Sequence, residues 1–144
     1  MAIVTTPAGR WFRRVVWLGI IANLALALPT IAAPDQMLAF SRLPTVTPHL
    51  WVRFAGVLLI LLSAFYAPAA MDPDRYRANA WLAVVSRLVG VVFFFGEPAA
   101  YRVMGLVDLV FFVPEAALLL IATRGEAAAP KAPAAAAMTG ASAS

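Results

Sequence analysis

Four runs of predominantly apolar residues, each close to the length of a membrane crossing, constrain this chain more than any other feature. They cover about Val15–Ala33, Leu50–Ala70, Ala80–Phe95 and Tyr101–Ala122. A helix rises about 1.5 Å per residue, so a hydrocarbon core is crossed by roughly 20 apolar residues. None of the runs alternates with a period of two, and all are too long for single strands. In hydrocarbon a backbone satisfies its own polar groups only as a helix or a closed barrel. The fold expected is all-α, an integral membrane four-helix bundle over residues 1–124. Residues 125–144, rich in Ala, Pro and Ser, have no apolar face to bury and are expected to be a disordered tail.

Composition excludes the soluble alternative. The chain is 63% hydrophobic and 12% charged over 144 residues, against about 45–50% and about 25% in a soluble domain. A water-soluble fold of this size has too little interior for that much apolar surface. Cysteine is absent and His49 is the single histidine. Disulfides, thiolate metal sites, iron–sulfur ligation and a haem held by two histidines of one chain are therefore excluded. The net charge of +4 comes from arginines flanking apolar segments and forms no basic stripe, which argues against nucleic acid as a partner.

The arginines and the lysine instead predict orientation. Arg10, Arg13, Arg14, Arg75, Arg77, Arg124 and Lys131 fall on one side of the spans, against Arg42, Arg102 and Arg53 on the other. The positive-inside rule then places both termini in the cytoplasm of a cell with an inner membrane. Trp11, Trp17, Trp51 and Trp81 lie near the ends of the runs, where amphipathic rings anchor helices. Residues 10–33 superficially resemble a secretory signal, but the apolar run is long for one and Pro34 would follow the cut. Between the first two runs, Asp35 is expected to cap a short surface helix with Met37, Leu38 and Phe40 toward the membrane. Asp72-Pro73 reads as an N-cap and first turn that starts the third helix early.

Arg87, Asp108 and Glu115 fall inside the runs, where each charge costs at least about 2.5–3.5 kcal/mol on insertion scales. Side chains lean toward the N-terminus of their helix, so Arg87 and Glu115 on antiparallel spans lean toward one another. Asp108 leans toward the level of Arg53. The pairs expected are Arg87–Glu115 and Arg53–Asp108, with Arg87–Asp108 as the competing arrangement. Asn23, Ser63 and Ser86 fall near the inner pair and would complete a polar layer. Gly19, Gly56, Gly90 and Gly105 would let helices approach. Pro114 should kink the fourth span beside Glu115. Gly105, Asp108, Phe112 and Glu115 share the helical face expected to point inward.

Three functions suit such a group: fixing helix register, forming a pocket for a small ligand or quinone, or lining a proton or ion path. The sequence contains no Ser-His-Asp set, phosphate loop, HExxH or di-acidic metal motif. A non-enzymatic protein without a cofactor is the expectation, its partners the bilayer and either copies of itself or a larger membrane complex. His49 is expected to be a solvated loop residue, and Phe93-Phe94-Phe95 a packing and lipid-contact run.

The segment Tyr66-Ala67-Pro68-Ala69-Ala70-Met71-Asp72-Pro73-Asp74-Arg75 carries an aromatic-x-x-Ala-Ala-x-Asp-Pro-x-Arg pattern. With Asn23 and Pro29, Trp51 and Gly56, Arg87 and Gly90, and Asp108-Leu109, it resembles a family of small four-helix bacterial inner-membrane proteins. The likeness covers roughly residues 11–122. It implies the architecture and no activity. The layout is also similar to DoxX-like proteins, at the level of the fold alone.

Overall fold

The computed structural model describes Ile3 and residues 6–127. Four long helices carry the fold: α1 (Pro7–Ala32), α3 (Leu50–Met71), α4 (Arg77–Gly96) and α5 (Arg102–Ala127), with the short α2 (Pro34–Phe40) between the first two. All four are long and apolar enough to cross a membrane, and only 17–28% of their apolar windows is buried within the chain. The remainder faces outward, which a bilayer tolerates and water does not. Expected runs and observed helices coincide, with α1 and α4 beginning earlier than the apolar pattern alone implies. The expected disordered tail lies mostly outside the described residues.

The helices form a ring in the order α1, α3, α4, α5, each packed on the next and α5 on α1. One end of this antiparallel bundle holds the start of α1, the link from α3 to α4, and the end of α5. There the Ile3 amide donates to Asp74 Oδ1 at 2.8 Å and Arg13 Nε donates to the Ala70 carbonyl at 2.9 Å. The half of the bundle at this end is closed by Phe12, Val16, Ile20, Tyr66, Val84 and Leu119 with small alanines between them. Small residues bring the backbones together. A Cβ on Gly56 would lie 2.7 Å from Ile31 and 3.0 Å from the Ala27 carbonyl, so α1 and α3 are in close contact at that point.

Local chemistry sets the helix ends. Thr6 caps α1, its Oγ1 accepting from the Gly9 amide at 2.9 Å, with Pro7 in the first turn. The sequence reading has Asp72 starting α4, and it does not. Its carboxylate accepts from the amides of Asp74 and Arg75 at 3.2 and 3.1 Å, so Asp72-Pro73 caps a separate turn, and α4 begins at Arg77. The backbone leaves helical geometry at Tyr76 (φ −112°, ψ 49°), which divides the two. Pro114 lies within the continuous helix α5.

At the opposite end, α2 departs from expectation in a similar way. Asp35 makes no capping bond; its carboxylate meets His49 Nε2 at 2.8 Å, tying α2 to the start of α3. Leu38 is buried beneath α2 and Phe40 is exposed, so the apolar side chains of α2 divide between bundle and surroundings. The helix ends in a Schellman motif, the Leu43 amide donating to the Leu38 carbonyl and the Arg42 amide to Ala39. Arg42 takes the left-handed position, φ 56°, that glycine usually fills.

Candidate functional site

Helix α4 buries Ala80, Ala83, Val84 and Arg87. This is a helical stripe in which the position one turn beyond two small residues and a valine carries a charge. Helix α5 buries Gly105, Glu115, Leu119 and Ala122 along one face, with Asp108 and Phe112 half-buried on it, as the spacing predicts. Helix α1 contributes Gly19 and Asn23, and α3 contributes Ser63 and Tyr66.

Arg87 lies at the centre. Its Nη1 donates to Asp108 Oδ1 at 2.8 Å and to Asn23 Oδ1 at 3.2 Å. The guanidinium carbon sits 4.9 Å from the centroid of the Phe111 ring and 5.6 Å from that of Tyr66, within cation–π range. Arg87 is 3% exposed, so this cation from α4 is bonded to α1 and α5 and packed against an aromatic ring of α3. Two glycines clear its surroundings. A Cβ on Gly19 would lie 2.7 Å from Nη2, and one on Gly90 would overlap the Asp108 carboxylate.

The expected pairing is therefore corrected. Arg87 bonds Asp108, not Glu115, and Arg53 is exposed at the start of α3 with no ion pair among the described residues. The cause is the register of α4 against α5. With Gly90 facing Asp108, the antiparallel helices bring Arg87 level with Phe111, between the two acids. The Asp108 carboxylate fills the space at Gly90, and Arg87 Nη1 reaches both it and the Asn23 side-chain oxygen.

Glu115 is 1% exposed and makes no ion pair among the described residues. Its Oε2 has no hydrogen-bond partner among them, nor do Arg87 Nε and Nη2 or Asn23 Nδ2. Glu115 Oε1 and Arg87 Nη2 lie 3.4 and 2.7 Å from the same point, the Cβ position of Gly19. An acceptor and a donor thus flank one glycine without reaching ion-pair distance.

Ser63 joins the layer by depth but not by bonding: its hydroxyl donates to the Leu59 carbonyl of its own helix at 2.8 Å. Ser86 bonds Tyr66 Oη across α3 and α4. Tyr66 is the member that polarity-based reading missed. Its position, one turn from Ser63 on the same face of α3, is the signal that finds it. His49 is half-buried against Asp35 rather than free in a loop. Comparison with protein-family models, curated proteins and solved structures finds no match.

Proposed function

We propose that this chain is a non-catalytic multi-pass protein of a bacterial inner membrane, with both termini in the cytoplasm. In this reading it acts as a self-associating or accessory subunit of a membrane complex. The observation that carries it is the use of Arg87: the most deeply placed cation is consumed in holding α1, α4 and α5 to one another. Beside it, Phe12, Val16, Tyr66 and Leu119 fill the interior of the half that holds the start of α1 and the end of α5. Such a core gives a rigid four-helix unit whose outward apolar faces are available to lipid or to other membrane helices.

Purification from native membranes in mild detergent tests this reading. A stoichiometric second protein or a defined homo-oligomer supports it, and a monomer recovered alone under crosslinking contradicts it. Orientation is tested in the same preparation, because a chain without cysteine accepts single probes. Cysteines at Thr6 and at Gly125 should label from the cytoplasmic side, and one at Ser41 from the other.

A second reading is favoured by Glu115. A buried carboxyl group outside any ion pair among the described residues, next to an arginine with an unused donor, suits a proton-coupled carrier. In proteoliposomes Glu115→Gln should then abolish pH-gradient-driven uptake, whereas retention of full uptake excludes this role for Glu115.

A further inference from the structure

At the end away from the start of α1 and the end of α5, α2 stands off the bundle and leaves a forked groove beneath it. One arm, about 510 Å³, runs between α2 and the start of α5 along Ala99, Val103 and Val107. The other, about 410 Å³, runs between α2 and α3 along Trp51, Val52 and Ala55. The arms share Leu26, Met37, Ser41 and Met104, so they meet under the C-terminal half of α2. Each is of the size that encloses a small apolar ligand, about 300–1,000 Å³.

The chemistry of the lining is asymmetric. Arg42 is the one charged residue among those lining either arm, and it is exposed with no ion pair among the described residues. The Schellman motif fixes its backbone in the left-handed conformation, one residue past the shared Ser41. Arg53 and Arg102 lie at the same end of the bundle; of the acids there, Asp35 is already bonded to His49 and Glu97, which caps α4, lines neither arm. A cation that lines one apolar arm and directly follows Ser41, which both arms share, matches an anionic head carrying two chains.

We propose that this groove binds one two-chain anionic phospholipid, with its phosphate on Arg42 and one acyl chain in each arm. Ser41, common to both arms and adjacent to Arg42, stands where the ester linkages would lie. The bound chains would reach Leu26 and Val107, one turn from Asn23 and next to Asp108, so the lipid would cover the Arg87 cluster from that end. The proposal is independent of either reading of the protein's function.

Native mass spectrometry of the full chain, released from phosphatidylcholine nanodiscs doped with phosphatidylglycerol, tests it. One phosphatidylglycerol per chain should be retained in preference to phosphatidylcholine. Arg42→Gly should weaken that retention about tenfold, the worth of one charge-assisted bond. Glycine suits the left-handed position, so thermal stability should hold and loss of fold is excluded as the cause. Met104→Trp, which fills the junction, should weaken phosphatidylglycerol more than its single-chain lyso form. Equal retention of neutral and anionic lipid, an unchanged Arg42→Gly variant, or full competition by inorganic phosphate would each overturn the proposal. So would recovery of a quinone in place of the phospholipid.

Discussion

Gly90 and Asp108 face each other across the seam of α4 and α5 so closely that a methyl group on Gly90 would occupy the space of the Asp108 carboxylate. The pairing of the whole polar cluster follows from that contact. Asp108 is admitted to the seam because residue 90 has no side chain, and Arg87, one turn away on α4, finds its anion there. Gly90→Ala should therefore displace Asp108 and strand a buried arginine. Breaking one side of a buried pair costs about 3–5 kcal/mol in soluble proteins, and a loss of that order is expected in detergent unfolding. Gly96→Ala, with nothing within 4 Å of its Cβ position, is the matched control and should change stability by less than about 1 kcal/mol.

The two acids should respond differently to neutralisation. Asp108→Asn removes the ion pair of a 3%-exposed arginine and should destabilise by several kcal/mol. Glu115→Gln keeps the shape and removes no ion pair, so its effect should stay within about 1 kcal/mol. Thermal unfolding of both variants in the same detergent provides the comparison. Equal losses would place Arg87 between the acids rather than on Asp108.

The clasp between Asp35 and His49 is a polar contact of a different kind. The Asp35 side chain is 63% exposed, so water competes for it and an exposed pair contributes about 0–1 kcal/mol. Asp35→Asn should leave global unfolding within about 1 kcal/mol of the parent. Its effect should appear as faster amide hydrogen exchange confined to α2, because α2 packs mainly on α1 and opens without disturbing the rest of the bundle.

Helices were legible in the sequence because a single cause, the apolar length that a bilayer demands, governs all four of them. Arg87, Asp108, Asn23 and Glu115 were legible for the converse reason: a polar group in an apolar run is conspicuous whatever its partner. The partner itself was not. Side-chain lean predicts that Arg87 points toward Glu115, but an arginine reaches further than that lean, and the glycine at position 90 decided the outcome. Register between α4 and α5 depends on interhelical packing, which no single run of sequence contains. The turn at Asp72 shows the same limit on a smaller scale. Its capping chemistry was read correctly, but the dihedral angles of Tyr76, which separate that turn from α4, were not encoded in any recognisable signal.

Arg87 is coupled more strongly to Asp108, its ion-pair partner, than to Glu115, and Asp108 is not coupled to Arg53. A set of double-mutant cycles measures this directly, with Arg87→Met combined in turn with Asp108→Asn and with Glu115→Gln, and Arg53→Met combined with Asp108→Asn. The arrangement described predicts a coupling of about 1–3 kcal/mol for Arg87 with Asp108, and additivity within about 0.5 kcal/mol for Arg53 with Asp108. Arg87 with Glu115 should fall well below the first value. A larger coupling of Arg87 to Glu115 than to Asp108 would contradict it.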